Sequence, residues 1–376
     1  MSETLSVIVA ASAAADQGAE PPGRARLGVA EPAAGEGADF RVEVERFADV
    51  RILRYRVPGF EALDARTKKL LYYLYEAALC GREITFEQKY RYNLTVKRTL
   101  EQIVRHYPGD RDTTDFRALT LYLKRIWFAN GMHHHYGHDK LKPELSAAAF
   151  AAFVRATPAD FPLREGQSLE QLVDELTRVI FDDGVDAKLV NKSADRDVLT
   201  SSAVNFYSGL TQHEVEAFYA AKTGERKVSL GLNSRLVKID GVAVEQVQKV
   251  GGLYTQAIEQ IVAWLEKAAG CAENDAQRTA LEKLIRFYRT GSLEDWDDYN
   301  IAWLRDTDSQ VDVVNGFVEV RGFVGGQRKG DFQAIDELLA GQALGTCLEG
   351  RQVTLLITEA FGSLFLPQTA AQAKLF

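Results

Sequence analysis

The apolar residues of this chain recur at helical spacing over long stretches and switch to a period of two only in short ones. Nowhere does strand alternate with helix in the regular way a doubly wound sheet requires. Leu63, Leu70, Leu71, Leu74 and Ala77 share one helix face, as do Tyr92, Val96, Leu100, Ile103 and Val104; residues 116–128 (FRALTLYLKRIWF) carry a third apolar stripe. Two helix starts are spelled out as capping boxes: Ser168-x-x-Gln171 ahead of Leu172, Leu176 and Ile180, and Thr211-x-x-Glu214 ahead of Val215 and Phe218. In each, the two side chains satisfy backbone N–H groups that the first turn leaves unpaired. Residues 253–265 and 280–288 read as helices, with Gly270 and Gly291 placed where helices stop. Period-two segments lie at 41–45, at 50–57 before Pro58-Gly59, at 236–239 and 242–245 across Asp240-Gly241, and at 311–320. The predicted class is α+β, mostly helical with a small β core.

Composition narrows function mainly by exclusion. A formal charge of −8 leaves no basic surface of the kind nucleic acid needs, and no run is long enough to span a membrane. Cys80, Cys271 and Cys347 are far apart and odd in number, so they read as packing residues, not as a disulfide framework or thiolate metal site. Residues 5–15 (LSVIVAASAAA) resemble the apolar part of a secretory signal but follow Glu3 instead of basic residues. Residues 1–38 are therefore expected outside the fold, as a disordered leader or remnant signal. The expected location is cytoplasmic, or exported if that signal is genuine.

Local chemistry names no reaction. Residues 132–139 (MHHHYGHD) hold four of the six histidines, and His134 and His138 stand at i, i+4, the spacing that puts two imidazoles on one helix face for zinc. Gly131, Gly137 and Pro143 make the segment a loop or broken helix end, and no Glu within it could act as base. It reads as a structural or cleft-lining polar cluster in preference to a metal site. His213-Glu214 begins like H-E-x-x-H, but Ala217 and Phe218 stand where a second imidazole is needed, and Glu214 belongs to the capping box. Asp297-Asp298, between Trp296 and Tyr299, read as solvated helix-end charges. There is no G-x-S-x-G elbow, phosphate loop or G-x-G-x-x-G after a strand.

Longer stretches carry a resemblance. Residues 251–320, closing on Asn315-Gly316-Phe317-Val318-Glu319-Val320, resemble the dipeptidyl peptidase III family, in which a similar helix pair leads to an N/I-G-F-x-E-x-Y strand. Asn233-Ser234-Arg235-Leu236 and residues 130–145 (NGMHHHYGHDKLKPEL) are further matches, and the opening at 46–79 is similar to the bacterial branch. The resemblance implies a two-lobed zinc exopeptidase that removes dipeptides from the N-termini of short peptides. Residues 39–320 would correspond to its barrel lobe, the one without zinc, and 321–376 to an unrelated or frameshifted tail. It also implies peptide contacts at Glu319, which falls on the acid that holds the free amino terminus, at Asn315 in the same motif, and at Tyr136, near a cleft-facing aromatic. The family's tyrosine two places after the acid is Arg321 here, the D-P-x-G that should follow is absent, and so are H-E-x-x-H and H-E-x-x-G-H. The expected partners are thus short peptides with a free N-terminus. No cofactor is expected in this chain, zinc belonging to the complete family. The chain is expected to be inactive alone, or to be a non-catalytic peptide-binding or scaffold protein.

Overall fold

A computed structural model describes residues 40–313 except Pro58, His135, Tyr136, Lys192, Ala194, residues 223–227 and Ser229. It also describes the backbone of three short outlying strands. The chain divides into two compact units, Met1–Glu61 and Ala62–Phe376. The first is an antiparallel sheet of β1 (Ser6–Ser12), β2 (Glu43–Phe47) and β3 (Val50–Arg56), in the order β1-β3-β2. The alanine-rich stretch set apart on composition thus contains a strand, paired with β3 from Ser6↔Arg56 to Ser12↔Val50. Val7, Ile8 and Val9 are β-branched, which favours the extended chain.

The second unit is mainly helical. Its first part comprises α1 (Ala65–Cys80), α2 (Arg82–Lys89), α3 (Asn93–His106), α4 (Thr114–Ala129), α5 (Ala147–Ala156) and α6 (Leu169–Phe181). The apolar stripes of α2 to α6 meet in one core, where Phe86, Leu100, Ile103, Leu119, Leu123, Ile126, Phe150 and Leu176 are each at most 1% exposed. Burying each such side chain is worth about 1.5–3 kcal/mol before the entropy of ordering it.

The next part places β4 (Tyr207–Ser208), α7 (Gln212–Ala220), β5 (Ser234–Ile239) and β6 (Val242–Val247) around a second core. There Leu189, Val190, Val204, Phe206, Val215 and Tyr219 surround the fully buried Leu236. Asp240 (φ 49°) and Gly241 (φ 82°) both take the left-handed conformation that a tight two-residue hairpin turn demands. Three helices follow, α8 (Thr255–Ala269), α9 (Asp275–Thr290) and α10 (Leu293–Arg305), with α1 packing on α8, α8 on α9 and α9 on α10. Two outlying strands, β7 (Leu356–Thr358) and β8 (Ser363–Phe365), pair with each other.

The α+β class holds, with helices predominant. The strands described form two three-stranded sheets and one pair, and do not close a barrel. Asp297 and Asp298 are not helix-end charges. The Ser292 hydroxyl accepts from the N–H of Glu294 and of Asp295 and starts α10 early, so the two acids lie mid-helix, with Asp298 Oδ2 3.9 Å from Lys283 Nζ. Residues 311–313 are a bend and irregular chain, not strand, and 314–320 lie outside the described residues.

Candidate functional site

The motif Asn233-Ser234-Arg235-Leu236 opens β5, and alternation along the strand sends its side chains to opposite faces. Ser234 and Leu236 face the second core. The Ser234 hydroxyl donates to Glu245 Oε1 (2.6 Å) across the hairpin, Tyr219 Oη donates to the same oxygen (3.1 Å), and Lys222 binds Oε2. Burial pushes the Glu245 carboxyl up, but Lys222, Ser234 and Tyr219 together hold it below its ordinary value. Asn233 reaches the other way and donates to the carbonyl of Gly291 at the end of α9 (3.0 Å).

Arg235 turns to the opposite face and meets α2. Its Nη1 donates to Glu87 Oε1 (2.9 Å), while Nε and Nη2 both donate to Gln246 Oε1 (3.1 and 2.9 Å). Asn205 donates to Glu87 Oε1 (2.7 Å), and the Tyr254 hydroxyl donates to Oε2. Burial raises the Glu87 pKa, and Arg235 and Asn205 only partly offset it. Tyr254 supplies this bond from a left-handed backbone (φ 62°) at the start of α8, a conformation costly for an aromatic residue. One carboxylate thus ties α2, the hairpin and α8 together. Every charged group in this network has partners, so the network holds backbone positions and presents no free nucleophile or base.

The histidine segment is structural in the same sense. His133 pairs with Lys140 in an isolated antiparallel bridge, and neither residue lies in a helix. His133 is buried, its Nε2 is 2.8 Å from the Asp186 carbonyl, and its ring stands edge-on to Tyr90. Burial, reinforced by Lys140, lowers its pKa to about 4, so the imidazole is neutral at pH 7. Lys140 Nζ donates to the carbonyls of Val179 and Asp182 and closes the end of α6. The His134 and His138 imidazoles sit on a turn, not on one helix face, with His134 Nδ1 accepting from the Gly137 N–H (2.9 Å).

Glu214 makes the expected capping box. One carboxylate oxygen accepts from the Thr211 N–H, and the other accepts from Lys238. These bonds pull its pKa down to about 2, a carboxylate committed to structure and not a general base. Among the described residues no three His, Cys, Asp or Glu side chains converge as a metal-binding group.

Asn315 and Glu319 lie outside the described residues, as does Tyr136, so no geometry joins the three positions that the resemblance implies. In sequence, the described residues stop at Val313, two places before Asn315. Side chains absent from any sequence motif do the holding: Glu87, in a short helix without a long apolar stripe, Tyr254, and Glu273 before α9. Gly251-Gly252 ahead of Tyr254 is the one local hint of unusual backbone, with Gly251 at φ 74°.

Comparison with known proteins bears on these same segments. Residues 193–334 match the model of peptidase family M49. The structure of DPP III from Caldithrix abyssi is 18% identical, with 66% of this chain and 35% of that chain covered at a TM-score of 0.40. Dipeptidyl-peptidase III from Corallococcus sp. strain EGB is 17% identical, with 66% and 34% covered at the same TM-score. The chain therefore spans about a third of the length of those enzymes. No curated protein matches. The matched stretch, Ser193 to Ala334, includes the Asn233–Leu236 motif and the whole segment from α8 to Glu319, so it is this part of the chain that is similar to peptidase family M49.

Proposed function

We propose that this chain supplies the peptide-holding part of a dipeptidyl peptidase III-type enzyme, the counterpart of its barrel lobe. In this reading it gathers short peptides by their free N-termini and has no hydrolytic activity alone. The family match across residues 193–334, which contains Asn315 and Glu319, carries the reading. A peptide α-amino group has a pKa of about 7.7–8.0 and is largely cationic at pH 7. A partly desolvated Glu319 would hold it by a charge-assisted hydrogen bond, with Asn315 and Tyr136 supplying neighbouring contacts.

Family M49 is a zinc metallopeptidase family. A zinc peptidase needs three protein ligands, an open position for water and a carboxylate base, and no H-E-x-x-H or H-E-x-x-G-H occurs in this sequence. Arg321 stands where the family has tyrosine, but the family match runs on to Ala334, so a tail that replaces the family's continuation would begin after that residue and not at 321.

The test is Glu319→Gln in isothermal calorimetry with a short free-amine peptide. Weakening by about 2–5 kcal/mol, the cost of leaving one partner of a buried charge pair alone, is the expected result. Unchanged affinity removes Glu319 from the site.

A further inference from the structure

The hairpin of β5 and β6 leaves its last strand open. Residues flanking a two-residue turn are a hydrogen-bonded pair, and the register runs Ile239↔Val242, Val237↔Val244 and Arg235↔Gln246. The backbone groups of Val242, Val244 and Gln246 therefore turn to β5, and those of Ala243, Glu245 and Val247 turn outward. The outward carbonyl of Val247 accepts from the Leu253 N–H (2.8 Å). Among the described residues nothing pairs with the outward N–H and C=O of Ala243 or Glu245, since β6 ends the sheet order β4-β5-β6. The face beside this edge is apolar: Ile239, Val242 and Val244 are 47%, 63% and 38% exposed, with Val237 partly buried opposite Val244.

An open edge of this kind is ordinarily blunted by a lysine, a proline or a bulge, because its free N–H and C=O groups template another strand. β6 (VAVEQV) has none of these. Its one charge, Glu245, points to the other face, where Lys222, Ser234 and Tyr219 hold it.

A second copy of β6 fits this edge best in one register, because antiparallel pairing must match outward residues with outward residues. Glu245 opposite Glu245 sets like charges together and puts Ala243 against Val247, whose carbonyl is already taken. Ala243 opposite Ala243 leaves Glu245 opposite the turn residue Gly241 and shortens the overlap. Ala243 opposite Glu245 avoids both faults. The two such pairs each exchange two N–H···O=C bonds, Val244 meets Val244 on a two-fold axis, and Val242 meets Gln246. The same register brings the exposed Asp240 of each copy opposite Gln248 and next to Lys249 of the other, so opposite charges meet at both ends of the ladder. The net charge of −8 repels two copies at long range, but salt screens it beyond about 8 Å at physiological ionic strength, and no like charges stand opposite along the edge.

We infer that β6 is a docking edge for a second copy of this chain, joined antiparallel through Ala243 and Glu245 about a two-fold axis at Val244. This surface is independent of the peptide-holding reading above. Sedimentation velocity of the full chain at pH 7 and physiological salt is expected to show a monomer–dimer equilibrium. Ala243→Pro removes an outward N–H and none of the bonds to β5, and Val244→Lys sets two cations together on the axis. Each is expected to weaken the dimer at least about tenfold, with thermal melts showing that the variants fold. Should Ala243→Pro not fold, the exposed Val244→Lys carries the test.

Disulfide trapping reads the register. Opposite residues of a non-hydrogen-bonded pair have Cα atoms about 4.5 Å apart, within reach of a disulfide. Val244→Cys is therefore expected to cross-link two copies under oxidation, whereas Val242→Cys and the wild-type chain with its own three cysteines do not. A wild-type chain that stays monomeric overturns the inference. So does a dimer that Val244→Lys leaves intact, or one that Val242→Cys traps as well as Val244→Cys. A monomer that instead binds an extended peptide, with binding lost in Ala243→Pro, gives the edge to a peptide strand and also overturns it.

Discussion

Three side chains, Arg235, Glu87 and His133, show how single residues set the behaviour of this fold. Arg235 and Glu87 are each about one-fifth exposed and share a bidentate-like junction with Gln246, Asn205 and Tyr254. Removing only the cation leaves a carboxylate that burial already disfavours, so Arg235→Ala is expected to cost about 3 kcal/mol in urea unfolding. The same change in a Glu87→Gln background is expected to cost clearly less, because no uncompensated charge remains. His133 gives the pH dependence. Its folded pKa of about 4 lies below the unfolded value near 6.5, so the unfolded chain binds the extra proton and the contribution of the neutral imidazole is complete only above pH 6.5. Stability from this residue is lost as pH falls from 6.5 towards 4, by up to about 3 kcal/mol. Urea midpoints at pH 7 and pH 5 should show the drop, and His133→Gln should flatten it.

At the scale of elements, helix ends decide most of what can be tested. Ser168→Ala removes the hydroxyl that accepts from the Gln171 N–H at the start of α6 and is expected to cost about 1 kcal/mol. Gly291→Ala should cost more than the usual left-handed penalty, because a Cβ there would stand 2.6 Å from Val247 Cγ1 as well as requiring φ near 69°. Thermal melts of the two variants check both statements. These ends were also the most legible part of the sequence, since a capping box and a Gly in the left-handed position each have one structural meaning. The hairpin at Asp240-Gly241 was legible for the same reason. Helix α5 was not, because its alanine-rich run (AAAFAAFVRA) has no polar face to set a period; nor was α2, at eight residues too short to display one. The Glu87 and Glu273 networks were invisible in sequence, because their partners lie 148 and 38 residues away and no periodicity encodes such pairing.

For the whole molecule, the similarity of residues 193–334 to peptidase family M49 and the chemistry of this sequence point to different outcomes for binding and for hydrolysis. Among the described residues no helix is long and apolar enough to cross a membrane; His133 is buried against the Asp186 carbonyl, and Glu214, next to His213, belongs to a helix cap. Because neither H-E-x-x-H nor H-E-x-x-G-H occurs in this sequence, the purified chain is expected to release no dipeptide from a chromogenic substrate, with or without added zinc, whereas chelator-sensitive release would show a zinc site within it. Binding is the positive side of the account, and one measurement reaches it most directly. Calorimetry of the full chain with a short peptide and its N-acetylated twin at pH 7 isolates the amine from every other contact. The account predicts that the free-amine peptide binds at least about tenfold more tightly; equal affinity for the two would contradict it.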